Sequence, residues 1–292
     1  MAAVTLSELQ AAQSAALTAT YKAQANREAA KIAALIALYY SRYVDVTDPG
    51  SIERWLELMI PRLISSSDSG ALSAAAFFQA IRQLEVGPDS TFRVAAATGM
   101  IDDGVRKSLL TVGPYDMVNK MTKIDQLDIP DSQRRAALIK AKEITTANLA
   151  SAVVRHAQAG GRQTIWDNAQ QDKVALGWVR VTKNKPCFFC AMLASRGLQY
   201  RSFKEGSFDL SDARFTGDGD AKVHDNCGCS LKPVYAKNDP LVKQTERFGD
   251  MWSRWGAGGN GETSAALRFR RGYDHWLETG EYLDWEAVDK AA

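Results

Sequence analysis

Pro186-Cys187-Phe188-Phe189-Cys190, followed further along by His224-Asp225-Asn226-Cys227-Gly228-Cys229, is the stretch on which the reading of this chain turns. It is a C-x-x-C and then an H-x-x-C-x-C, and all 4 cysteines of the chain lie within it. A C-x-x-C turn holds two thiolates about a metal's width apart, and a second half-site of this kind is the usual way to complete a tetrahedral zinc. The candidates Cys187, Cys190, His224, Cys227 and Cys229 outnumber the four positions of such a site. Cys227 and Cys229 are two apart, so on a strand they face the same side and both can bind, leaving His224 outside the ligand set. Alternatively His224 binds and one cysteine is spare. A catalytic zinc needs an open position and a nearby general base. The sequence shows neither, so a closed, structural zinc is expected.

Disulfide pairing is the competing reading. Residues 1–20 have no basic n-region and no unbroken apolar run, and no apolar stretch approaches the length that spans a membrane. The expectation is a chain made and kept in a reducing cytosol, where paired cysteines favour metal.

The 292 residues suffice for one large domain or two ordinary ones. Hydrophobic content of 46% with 24% charged residues is that of a globular protein. A net charge of +2 gives no bulk attraction to DNA. Trp252, Trp255, Trp276 and Trp285 crowd into the last part of the chain, as an aromatic core or a contact surface.

Residues 1–160 read as helical. Thr5-x-x-Glu8 has the form of a capping box, and Leu6–Tyr43 contains no glycine or proline. Asp48 or Ser51 caps a second helix to about Ile64, and Ser65–Gly70 reads as a serine-rich loop. Helix resumes over Ala71–Leu84 until Gly87-Pro88. Val94–Leu110 reads as helix, and Pro114 starts a short one. Pro130-Asp131-Ser132 caps a helix running to about Ala159, where Gly160-Gly161 terminates it. Leu176–Val181 alternates as a strand, Ala191–Ser195 is a short helix ended by Gly197, and Leu198–Ser202 and Ser230–Tyr235 are further strands around a loop at Gly206–Asp220. Helix returns after Pro240, interrupted at Gly256–Gly261. The fold class expected is α+β and mainly helical: a helical segment 1–160, a zinc-knuckle β region 161–240 and a Trp-rich helical tail 241–292.

One constellation resembles a catalytic signature and falls short. His156-Ala157-Gln158 before Pro186-Cys187-Phe188-Phe189-Cys190 echoes the zinc deaminases, but the proton-shuttling glutamate is Gln158, and a carboxamide cannot act as general acid or base. No G-x-S-x-G and no H-E-x-x-H supports a protease. Arg268-Phe269-Arg270-Arg271-Gly272-Tyr273 interleaves basic and aromatic residues, as nucleic-acid contact does, but a helix with Phe269 and Tyr273 buried one turn apart explains the same pattern.

Gly177-Trp178-Val179-Arg180, then Cys187-Phe-Phe-Cys190-Ala-Met-Leu-Ala-Ser-Arg-Gly197, Tyr200, His224-Asp-Asn-Cys227-Gly-Cys229 and Pro233, resembles the pattern of MuF-like phage minor head proteins, also called head morphogenesis proteins. The run Cys190–Tyr200 is similar to proteins of tailed phages infecting actinobacteria, several of which are described as capsid maturation proteases. The resemblance covers roughly residues 145–235. It implies a virion component of the phage head interior, made in the host cytoplasm and joining the procapsid in few copies. It also implies contact with the portal or major capsid protein, association with genomic DNA in some cases, and an oligomeric state dictated by assembly. No membrane contact is expected, because no apolar stretch is long enough to span one. The alternative the resemblance carries is a capsid maturation protease, for which the sequence supplies no catalytic set.

Overall fold

A computed structural model describes residues 4–88, 91–99, 104–200, 227–256, 264–284 and 287–288, with the side chains of 199 and 200 excepted. The chain is mainly helical, with a small sheet, as the pattern predicts.

Helix α1 spans Glu8–Tyr43 and α2 spans Pro49–Glu85. The capping box of α1 lies two residues beyond Thr5: Ser7 Oγ accepts from the Gln10 amide, and Gln10 Oε1 accepts from the Ser7 amide. The residues before it are held extended. Val4 bridges to Ala236, and the Leu6 amide donates to Asn238 Oδ1. Asp48 caps α2, accepting from the Gly50 amide, with Pro49 at the first helical position where its missing N–H costs nothing.

The serine-rich stretch Ser65–Gly70 is not a loop: α2 runs straight through it. Its small residues bring another helix close. Ser67 is buried, and its Oγ accepts the Gly160 amide. Ser69 returns its hydroxyl to the Ser65 carbonyl within the helix. A serine run reads as a turn because its side chains compete for the backbone, but here tertiary contact decides.

Helix α3 covers Gly104–Leu110, a π-helical turn covers Thr111–Tyr115 with Pro114 inside it, and α4 covers Asp116–Asp125. The helix expected from Val94 therefore begins at Gly104. Residues 92–97 form no regular element because Asn168 and Thr164 claim their backbone: the amides of Ala95 and Ala97 donate to Asn168 Oδ1 and Thr164 Oγ1.

Helix α5 is Asp131–Ala157 and α6 is Ala159–Gln171. Pro130 occupies the N-cap of α5 without a side-chain cap. The Gly160-Gly161 pair does not end the helical region but starts α6. A Cβ on Gly160 would lie 2.6 Å from the Ser67 carbonyl oxygen, and one on Gly161 2.9 Å from Tyr21 Oη. The glycines are there for close approach of α6 to α1 and α2.

Strand β1 is Gly177–Val181, β2 is Gln199–Tyr200 and β3 is Ser230–Val234, an antiparallel sheet in the order β2-β1-β3. Between β1 and β2 lies α7, Phe188–Ala194; Gly197, at φ +67°, turns the chain away in a conformation that disfavours a side chain. Helices α8, Pro240–Trp255, and α9, Ala265–Thr279, complete the described chain. The loop expected at Gly206–Asp220 lies outside the described residues, as does most of Gly256–Gly261.

One apolar cluster joins α1, α2, α3 and α5 through Ile36, Tyr40, Leu56, Met59, Leu109 and Leu149. A second seats the sheet on α2 and α6 through Phe77, Phe78, Ile165, Trp178, Leu231 and Tyr235. A third packs α7 against α8 and α9 through Phe189, Met192, Phe248, Trp255, Phe269 and Tyr273. Trp252 and Trp276 pack against this third cluster, and Trp285 lies outside the described residues. Phe269 and Tyr273 are fully buried and stacked at 5.7 Å, so the basic-aromatic run spends its rings on the core.

A buried polar chain crosses these clusters. Lys232 of β3 donates to Glu85 of α2 and to Asp239, the cap of α8. Glu85 also accepts from Ser14 of α1. Arg82 pairs with Asp172 at 2.8 Å, and Asp172 accepts from Tyr235 Oη.

Candidate metal centre

The two half-sites meet at one end of the sheet, where β1 finishes and β3 begins. Cys187 and Cys190 flank the first turn of α7, directly after β1, with Cys187 at the N-cap. Cys227 and Cys229 enter β3, which pairs with β1 so that Val181 faces Ser230. Pairing these strands therefore brings the start of α7 to the residues just before β3.

Cys190, Cys227 and Cys229 are buried, and their sulfurs lie within 4.8 Å of one another. Cys190 Sγ and Cys227 Sγ are 3.6 Å apart. Two sulfurs on a tetrahedral zinc with bonds of about 2.3 Å would stand ~3.8 Å apart, so the spacing is that of ligands around one ion. Cys187 is exposed and outside this trio, but its side chain hydrogen-bonds the Cys190 thiol. His224 lies outside the described residues. Of the expected ligands, three sulfurs are thus gathered and a fourth stands at the edge.

The electrostatics favour negative charge on Cys227 among these sulfurs. Hydrogen bonds from Cys190 and Cys229 hold the Cys227 thiol well below the usual range, outweighing burial, with help from Arg162 and Arg180. Cys190 is driven up by its hydrogen bonds to Cys187, Cys227 and Cys229 and by burial. Cys229 is pushed up to about 11: its hydrogen bond to Cys190 pulls down, but the bond to Cys227, burial and the Cys227 charge prevail. A divalent cation would let all three sulfurs ionise, as metal ligands must.

Sequence reasoning missed Arg162. It sits on α6, 5% exposed, and reaches into the cysteine loop. Its Nε donates to the Cys229 carbonyl at 3.0 Å and Nη2 to the Cys227 carbonyl at 2.6 Å. Nη2 also reaches Gln158 Oε1, and Nη1 the Arg155 carbonyl at 3.4 Å. Every acceptor is neutral, and no carboxylate faces it among the described residues. A buried guanidinium needs a counter-charge; burial lowers the Arg162 guanidinium from its usual range, against the pull of Cys227 and Cys229. The donor set and its cationic neighbour fit a thiolate-bound metal. Gln158, read as the failed shuttle of a deaminase, instead links Arg162 to Asn26 of α1 through its own amide, 2.7 Å from Asn26 Oδ1. The sequence signal for Arg162 was slight: a basic residue directly after Gly160-Gly161, in what reads as a helix end.

The rest of the knuckle is braced by the tail. Tyr273 Oη donates to the Pro186 carbonyl at 2.8 Å, and Arg270 lies over the Phe188 ring. No helix among the described residues is long and apolar enough to cross a membrane. Searches of curated proteins and of solved structures give no match to this chain. The sequence profile described as VG15 protein matches residues 8–254, which takes in α1, the cysteine half-sites and nearly all of α8. The chain belongs to the VG15 protein family, a viral protein family.

Proposed function

We propose that this chain is a structural minor head protein of a tailed phage, of the MuF-like head morphogenesis type, with a structural zinc at its cysteine cluster. The observation that carries the reading is the enclosure of that cluster. Three sulfurs are buried, Arg162 takes the backbone carbonyls of Cys227 and Cys229, and the whole is packed beneath α9. Such a site holds strands together, whereas reactive cysteines sit in partly exposed places. Membership of a viral family and the half-site pattern support the placement in the phage head.

Zinc is the ion the donor set favours, since soft thiolates in a compact site suit it. On this reading Cys187, Cys190, Cys227 and Cys229 are the sulfur candidates and His224 the nitrogen one. Portal protein and major capsid protein are the partners, residues 1–160 and 241–292 flank the zinc-bearing segment 161–240, and contact with genomic DNA is weak.

Co-expression with the portal and major capsid proteins of the same phage tests this. The chain should enter proheads in a few copies without cleaving the capsid protein. Cleavage of the capsid protein, abolished by a point substitution outside the cysteines, would contradict it and establish the maturation protease instead.

A further inference from the structure

Three gathered sulfurs make three corners of a tetrahedron, and the charge around them bears on the fourth. Arg162 of α6 and Lys22 of α1 face the cluster from two different helices. Arg162 is 5% exposed and is fixed by the carbonyls of Cys227 and Cys229. Lys22 is half-buried and lines one cavity together with Arg162 and Cys229. Burial lowers the Lys22 ammonium from its usual range, against the pull of Cys229. Arg180 of β1 bears on Cys227 as well.

Neither Arg162 nor Lys22 is paired with a carboxylate among the described residues. Glu28, the one carboxylate that lines the cavity, is paired with Lys31 at 2.8 Å. Positive charge taken out of water is tolerated where negative charge balances it. A zinc held by three thiolates and one imidazole carries a single net negative charge, whereas a zinc held by four thiolates carries two. Two cations that share no other counter-charge match the four-thiolate centre. Around the three-thiolate centre they would leave positive charge in excess.

The fourth thiolate is at hand. Cys187 is the N-cap of α7 and Cys190 lies in its first turn, so the helix fixes one cysteine relative to the other. The Cys187 carbonyl accepts from the Ala191 amide at 3.0 Å. The preceding carbonyl, of Pro186, accepts from Tyr273 Oη at 2.8 Å. The backbone on both sides of Cys187 is therefore held independently of any ion. Its side chain already hydrogen-bonds the Cys190 thiol, and as the exposed cysteine it forms the outer edge of the cluster.

We propose that the metal is held by four sulfurs, Cys187, Cys190, Cys227 and Cys229, as a doubly negative tetrathiolate centre whose charge Arg162 and Lys22 balance, with His224 outside the ligand set. This rests on the metal reading above and goes further in naming the fourth ligand and the cations that select it.

X-ray absorption at the zinc edge of the intact, zinc-loaded protein tests the ligand set. Expected are about four sulfurs at ~2.3 Å and no nitrogen shell at ~2.0–2.1 Å. Three sulfurs with one nitrogen overturn the proposal and leave the metal reading standing, whereas a purified chain that takes up no zinc overturns both. His224→Ala should keep about one zinc per chain with an unchanged spectrum, and loss of its zinc contradicts the proposal. Cys187→Ser should weaken zinc binding by more than the roughly 10- to 100-fold expected of a residue that only supports a ligand. The charge balance has its own readout. By competition with a chromophoric chelator at low salt, Lys22→Gln should lower zinc affinity roughly threefold to tenfold. Lys22→Arg, which keeps the charge, should retain it. Unchanged affinity in Lys22→Gln overturns the role given to that cation.

Discussion

At the scale of single residues, the site is as much Arg162 as the cysteines. The cysteines were legible because their spacing is a covalent constraint: C-x-x-C and C-x-C fix how far apart the sulfurs start. Arg162 was not, because nothing local to α6 says that its side chain will meet two carbonyls on a distant loop. The same holds for Gly160, whose role is to let the Ser67 carbonyl come close. A glycine pair at the end of a periodic run reads as a stop, and only the neighbouring helix shows it to be a contact. The cationic role of Arg162 leads to a measurable effect. Arg162→Gln leaves the cysteines in place but removes the charge that faces them. Zinc affinity, measured by competition with a chromophoric chelator, should fall roughly 10- to 100-fold, as for other residues that support metal ligands. Arg162→Lys should lose less. Unchanged affinity in Arg162→Gln would show that the guanidinium serves packing alone.

At the scale of elements, the long α1 and the strand β1 could be read because each carries its signal within itself. In α1 that is an unbroken run without helix breakers, and in β1 β-rich alternation. Elements decided by partners were misread. Helix α2 passes through its serines because α6 packs on them, and residues 92–97 stay out of helix because Asn168 and Thr164 bind amides among them. The Lys232 network was equally invisible, since its members come from α1, α2, β3 and the cap of α8. It ties those elements together and makes a pH-dependent contribution. Burial raises the Glu85 carboxyl above its usual 4.5, against the pull of Lys232. The folded chain therefore holds a proton that the unfolded chain releases. The stability this adds is fully present below about 4.5 and is lost as the pH climbs through the raised value. Lys232→Met strands two buried carboxylates, so it should cost about 3–5 kcal/mol at pH 7.5. The deficit should be smaller at pH 5 than at pH 7.5, because burial raises the Glu85 carboxyl and its protonation removes one of the stranded charges. Urea unfolding at the two pH values checks this, and an equal deficit at both would show that Glu85 does not titrate with the fold.

At the scale of the whole molecule, the described chain is knitted around the cysteine half-sites. Its start is tied to the end of β3 through Leu6 and Asn238, α6 supplies Arg162, and α9 reaches Pro186 through Tyr273. The tryptophan-rich end, which the sequence left open between contact surface and core, places Trp255 at 1% exposure and packs Trp252 and Trp276 beside α7. A metal at the cysteines would thus bind together the strand after which α7 starts, the strand from which α8 follows, and the tail over both. Its loss should be felt far beyond the knuckle. The most direct test is metal analysis of the purified protein together with thermal melting, with and without a strong chelator. A structural site predicts about one zinc per chain and a melting temperature that drops on chelation. Less than about half an equivalent of zinc, with melting unchanged by chelator, would contradict the account.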